Sequence, residues 1–213
     1  MDEYIRPHRD SAALLTVDTQ NDFTLAGAPA EIDGTAEAVP QMQRLVEAFR
    51  LREAPIVHVV RLYEEDGSNV DRCRRADVEA GAEIVRPGTD GAELVAALKP
   101  STDVRLDAER LLNGEFQEIG PREHVMYKPR WGAFYRTGLA DFLDARSVDT
   151  VVVCGCNFPN CPRTTIYEAS ERDYRIVFVP DATSGVDERG RQELASIGVA
   201  VTETGDTIDW MTA

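Results

Sequence analysis

The chain has 213 residues, 43% of them apolar and 7% aromatic, enough to bury the core of one sizeable domain without disulfide or metal support. Its formal net charge of −15 argues against a nucleic-acid partner, because phosphate binding needs concentrated Lys and Arg; the same acidity favours solubility and would draw in a cationic substrate. No apolar run has the length of a membrane span, and the opening MDEYIRPHRD has no signal-peptide core, so a cytoplasmic protein with no membrane partner is expected.

Residues 1–11 read as a polar lead-in. Ala12 to Val17 is apolar without polar alternation, the pattern of a parallel strand covered on both faces. A loop rich in Gly, Pro, Asn and Asp runs from Asp18 to Asp33. From Ala36 to Glu53, Val39, Met42, Val46 and Phe49 recur at helical spacing, which predicts an amphipathic crossover helix. Pro55 stops it, and Ile56 to Val60 is the second strand. Arg61 to Pro87 is a long irregular excursion with mixed charges. A loop of that length in a compact domain is functional or disordered; it is read as a substrate-shaping loop or a plain solvated surface, with a short helix over Arg74 to Gly81.

A short helix over Ala92 to Leu98, a strand over Asp103 to Leu106 and a firmer strand over Glu123 to Tyr127 follow. Next come the KPRWGAF turn and a helix over Gly138 to Ala145. Strands at Asp149 to Cys154 and Arg175 to Val179 flank a helix that begins at Cys161. A helix over Asp187 to Ile197, a strand over Gly198 to Glu203 and a tail from Gly205 close the chain. Strands alternate with helices and no repeat or linker divides them. The expected fold is therefore α/β: a single Rossmann-like three-layer domain over residues 1–213, with a mainly parallel sheet of about six strands.

The four cysteines, Cys73, Cys154, Cys156 and Cys161, match no zinc spacing and read as free thiols, Cys154 in strand core and Cys156 lining a site. Cys161 differs. It opens a helix with Pro162 in the first turn, where unpaired backbone N–H groups and the positive end of the macrodipole favour an anion. A thiol held there is expected to lose its proton more easily, and the thiolate is the nucleophile. Asp18 follows the first strand and Lys128 follows the Val125 to Tyr127 run. Ligands of open parallel sheets bind beyond the carboxyl ends of the strands, so one fold rule brings Asp18, Lys128 and Cys161 to one rim.

Three segments carry a resemblance: LLTVDTQNDF at Leu14 to Phe23, YKPRWGAFYRTGL at Tyr127 to Leu139 and GCNFPNC at Gly155 to Cys161. In this order they resemble the motifs of the isochorismatase-like cysteine hydrolases, over the stretch from Ala12 to about Val201. The likeness implies an amidohydrolase that cleaves a C–N bond of a small amide, ureide or lactam through a thioester, without a cofactor. It also implies a catalytic triad of Asp18, Lys128 and Cys161. Asp18 would be the base, its pKa held closer to working pH by burial and the thiol, and Lys128 would steady both anions. Asn157 and Cys161 would supply backbone oxyanion donors, with a cis peptide at Cys156-Asn157. Proteins of this kind are commonly homo-oligomers.

Gln20, Phe23, Trp131 and Arg163 are weaker candidates for substrate contact: a polar positioner, two aromatic walls and a carboxylate binder. Each has a plain turn, packing or surface role beside it. Two departures bear on specificity. Phe158, Pro159 and Asn160 precede the cysteine and Pro162 follows it, where many members have Thr-Asp before and Val after; this variant points toward a streptothricin-hydrolase-like subgroup. Nicotinamidases of the family hold a metal with an Asp and two His, whereas His8, His58 and His124 are scattered here, so no metal is expected. The competing readings are an isochorismatase-type vinyl-ether hydrolase, against which Cys161 speaks, a non-catalytic oligomeric binding protein, and a nucleotide-binding Rossmann domain. The last is disfavoured because DTQNDF, not a GxGxxG turn, follows the first strand.

Overall fold

Ala12–Val17 forms β1, buried along its whole length, as its unbroken apolar run requires. In the computed structural model, which describes residues 2–213, β1 pairs in parallel with β2 (Ile56–Val60) on one side and with β5 (Thr150–Gly155) on the other. Between β1 and β2 lie α1 (Asn21–Thr24) and α2 (Thr35–Leu51); between β2 and β5 lie α3 (Arg72–Glu79), α4 (Ala108–Leu112), β3 (Gln117–Gly120), β4 (Glu123–Tyr127) and α5 (Leu139–Asp144). The chain ends through α6 (Cys161–Ser170), β6 (Arg175–Thr183), α7 (Glu188–Ser196), β7 (Ala200–Val201) and α8 (Thr204–Thr212). The seven-stranded sheet has the order β3-β4-β2-β1-β5-β6-β7, and only the β3–β4 pairing is antiparallel.

Alternation along the central strands feeds two cores. Ala13, Leu15 and Val17 of β1 join Val151 and Val153 of β5 in the cluster that takes Ile166 of α6 and Leu194 of α7. Ala12 and Leu14 join Val152 and Cys154 in the cluster that takes Met42, Leu45 and Phe49 of α2 and Met211 of α8. A third cluster packs the excursion after β2 onto the sheet through Leu62, Val70, Val78 and Val85. Helices therefore cover both faces of a mostly parallel sheet, the three-layer α/β architecture expected. Among the described residues no helix is long and apolar enough to cross a membrane.

The structure corrects four stretches. Residues 92–98 form no helix: 3-10 turns at Asp90–Ala92 and Ala96–Leu98 flank residues 93–95, because Asn21 N donates to Glu93 O and Val95 N to Thr19 O, tying the backbone to the loop after β1. Residues 103–106 form no strand: Lys99 Nζ takes the Val104 carbonyl and Glu93 Oε1 the Leu106 N–H, leaving no ladder. The half-buried edge strand β3 was not anticipated. The expected tail is α8, opened by Asp181 Oδ1, which accepts from both N and Oγ1 of Thr204, and anchored by Met211.

Candidate active site

Successive strands leave β1 toward β2 and leave β5 toward β6, so the carboxyl ends of β1 and β5 border the switch point where such sheets bind ligands. Two chain features shape that edge. Asp18 follows β1 with φ 52°, a left-handed conformation that Asp adopts more readily than most residues. Gly155 ends β5 with φ 125°, and a Cβ there would stand 2.2 Å from the Val17 carbonyl oxygen; no other residue fits so close an approach. Cys156 N then donates to Val17 O, the Cys156-Asn157 peptide is cis as expected, and Asn160 leads into α6 with Cys161 as its first residue.

Asp18, Lys128 and Cys161 meet at this edge. Lys128 is fully buried, and its Nζ donates to Asp18 Oδ2 at 2.8 Å and to Arg130 O at 3.2 Å. The other carboxylate oxygen, Asp18 Oδ1, is buried and accepts no hydrogen bond. Asp18 and Cys161 line one cleft. Burial first, and then the Asp18 charge, pushes the Cys161 thiol up to about 12 against the pull of Lys128. Burial and the Asp18 carboxylate therefore act against the easily ionised thiol that the helix start led one to expect. α6 is tied to the loop that bears Lys128, since Thr165 Oγ1 accepts from Ala133 N and Glu168 Oε2 from Phe134 N.

The remaining sequence candidates divide. Phe23, Trp131, Cys156 and Asn157 line the cleft, Trp131 still 42% exposed. Burial pushes the Cys156 thiol up to about 11. Gln20 is fully buried but serves the scaffold: its Nε2 donates to the Arg61 and Ala92 carbonyls and its Oε1 accepts from Arg61 N. Arg163 does not line the cleft; it donates to the Tyr167 hydroxyl and pairs with Glu193. His58 is a satisfied core residue, between Thr16 Oγ1 at 2.7 Å and Glu123 Oε1 at 2.8 Å. Among the described residues no group of three or more His, Cys, Asp or Glu side chains could hold a metal ion.

Sequence reasoning missed part of the wall. Tyr63, Asp71, Cys73 and Arg74, all from the excursion after β2, face the cleft with Arg61. Arg61 is buried, forms an ion pair with Asp71 and donates to the Lys128 carbonyl; the Tyr63 hydroxyl donates to the same Asp71 carboxylate at 2.8 Å. The available signal was the length of the excursion, which left it as either a substrate-shaping loop or a solvated surface and could not say which side chains turn inward.

These features define an open α/β protein that gathers a thiol, a carboxylate and an ammonium group at the carboxyl edge of its sheet. The isochorismatase domain model matches residues 12–210, and the chain belongs to that family. It is 34% identical over 178 residues to a probable inactive nicotinamidase of Arabidopsis thaliana, covering 82% of this chain and 81% of the relative. It is 28% identical over 204 residues to a ureidoacrylate amidohydrolase of Methylobacterium radiotolerans, covering 86% and 72%. An isochorismatase family protein from Desulfovibrio vulgaris superposes with a TM-score of 0.80 at 32% identity, covering 95% of this chain and 99% of that one.

Proposed function

We propose that the protein is a cysteine amidohydrolase that cleaves a C–N bond of a small amide, ureide or lactam. The carrying observation is the divided state of Asp18: one oxygen is fixed by Lys128 and the other is buried with no donor, in the cleft that Cys161 lines. As the sulfur attacks the carbonyl carbon, the thiol proton passes to the free carboxylate oxygen, which removes the burden of ionising a buried thiol in advance. Backbone N–H groups of Asn157 and Cys161 take the tetrahedral oxyanion. The C–N bond then breaks, Asp18 returns its proton to the leaving amine, and a thioester remains. Water, deprotonated by Asp18, attacks the thioester, and sulfur leaves to be reprotonated as the thiol. Lys128 keeps its charge throughout and holds Asp18 in place.

The likeness to ureidoacrylate amidohydrolase supports C–N hydrolysis of a small molecule. The likeness to a protein described as an inactive nicotinamidase supports the competing reading, a ligand-binding protein of the same fold. One experiment separates them: ammonia or amine release is screened over amides, ureides and lactams, with Cys161→Ala and Asp18→Asn as controls. Wild type releases product and each variant loses at least about 10³-fold in kcat, as expected when a nucleophile or its base is removed. Release by Cys161→Ala equal to wild type would refute the thiol mechanism, and no release by wild type in any class leaves the binding-protein reading.

A further inference from the structure

One buried carboxylate takes no part in the proposed chemistry. Asp22 is 7% exposed in α1, one residue before Phe23, which lines the cleft. Among the described residues no cation pairs with it. Burial pushes its carboxyl up, the Val85 N–H draws it partly back, and the Glu83 charge pushes it up again. An unpaired carboxylate out of water is costly, so what it holds matters. Asp22 Oδ2 accepts from Val85 N at 2.6 Å.

Val85 is fully buried, and its φ is 41°. A β-branched residue rarely takes a left-handed conformation and keeps it only where its surroundings enforce it. Here both sides of its backbone are held. The N–H goes to Asp22, and the carbonyl accepts from Tyr63 N at 3.1 Å. Tyr63 lines the cleft as Phe23 does, so Val85 joins two walls, one from α1 and the other from the excursion after β2. Gly91 closes the arrangement from a third side. A Cβ there would lie 2.2 Å from Asp22 Oδ1 and 2.4 Å from its Cγ, so any side chain at position 91 displaces the carboxylate. Asn21 Nδ2 donates to the neighbouring Asp90 carbonyl, and the Arg74 guanidinium of α3 lies over the Phe23 ring, 5.0 Å from the centroid.

We propose that Asp22 is a positioning residue: its carboxylate fixes Val85, and through Val85 it seats Tyr63 and the excursion against Phe23, so that the two walls keep their spacing beside Cys161. This rests on the hydrolase reading for its kinetic consequence but not for the latch itself. Asp22 takes no part in bond making. Its effect falls on how tightly the substrate is gripped and how well Cys161 is screened, while the chemistry stays with Asp18, Lys128 and Cys161.

Three variants test it. Asp22→Ala removes the acceptor, and Asp22→Asn keeps one acceptor oxygen for Val85. Gly91→Ala displaces the carboxylate without altering it and carries the test if Asp22→Ala does not fold. The first measurement needs no turnover: the rate of Cys161 alkylation by iodoacetamide at fixed pH, read by peptide mass, beside the urea midpoint of each protein. Asp22→Ala and Gly91→Ala alkylate at least about fivefold faster than wild type, as a locally opened wall allows, and Asp22→Asn recovers most of the difference. A lower midpoint with unchanged alkylation is what a merely structural role would give, and it overturns the proposal. The second measurement is kcat and KM on an amide found by the release screen. KM rises at least about tenfold in Asp22→Ala and Gly91→Ala while kcat changes by less than about threefold; a fall in kcat at constant KM overturns the positioning role. Faster alkylation in both variants, with no release from any amide by wild type, keeps the latch and removes the hydrolase reading. Release by wild type, with alkylation and KM unaltered in both variants, removes the latch and keeps the hydrolase.

Discussion

Cys161 stands between opposing influences. The start of α6 and the Lys128 ammonium favour a thiolate, while burial and the Asp18 carboxylate favour the thiol and prevail, pushing it up to about 12. A raised thiol pKa means that little thiolate exists at neutral pH, and the thiolate is the species that alkylates. The rate of Cys161 alkylation by iodoacetamide is therefore expected to keep rising with pH past 9 and to be climbing still at pH 10; a plateau below pH 8 would show a thiolate already formed. In the proposed mechanism, deprotonation is accordingly placed at the moment of attack, with Asp18 as the proton acceptor. That assignment explains what the sequence could and could not disclose at this scale. The meeting of Asp18, Lys128 and Cys161 at one rim was legible because each follows a strand end or opens a helix, while the roles assigned to them leaned on the family resemblance. Arg74, Tyr63 and Asp71 were not, since α3 is mostly polar and nothing in RCRRADVE distinguishes an inward arginine from its exposed neighbours.

At the scale of elements, the strands that read true were the buried ones. β1, β2 and β5 are continuous apolar runs or nearly so and are buried along their whole length, as a parallel strand covered on both faces requires. The failures share a different cause, in that side chains decide the backbone's partners. Residues 103–106 lost their strand to Lys99 and Glu93, and the end of the chain became α8 once Asp181 capped it. α8 is more than an appendage, because Ile208 and Trp210 pack partly buried against the α2 cluster and Met211 is 1% exposed within it. Truncating a buried Met to Ala removes its transfer free energy and leaves a cavity, together about 2–5 kcal/mol. Met211→Ala is expected to lose about 3 kcal/mol in urea unfolding, within that range, with KM unchanged, since α8 contributes no residue to the cleft. A loss of activity without a loss of stability would mean that α8 reaches the site by a route that its contacts do not show.

Three neighbouring strands and a covering helix are tied together around one buried charge. Glu123, 1% exposed at the start of β4, accepts from Arg50 of α2 through Nε and Nη2 and faces His58 of β2, whose other ring nitrogen meets Thr16 of β1. Three strands and a covering helix thus share a single carboxylate. Burial pushes that carboxyl up, but the hydrogen bonds of Arg50 and His58 more than offset it and hold Glu123 at about 2, below the ordinary 4.5. A carboxyl depressed in the folded state binds its proton more weakly than in the unfolded chain, so its stabilisation is fully present above pH 4.5 and is lost as pH falls from there toward 2. Glu123→Gln removes the charge and leaves Arg50 and His58 facing a neutral amide, which at pH 7 costs about 3 kcal/mol, as for other broken buried pairs. The difference in unfolding midpoint between wild type and Glu123→Gln should therefore be greatest at neutral pH, narrow as pH falls below 4.5, and close near pH 2. A gap of constant width across that range would show that Glu123 acts through shape rather than charge, and the account of how β1, β2, β4 and α2 are held in register would fail with it.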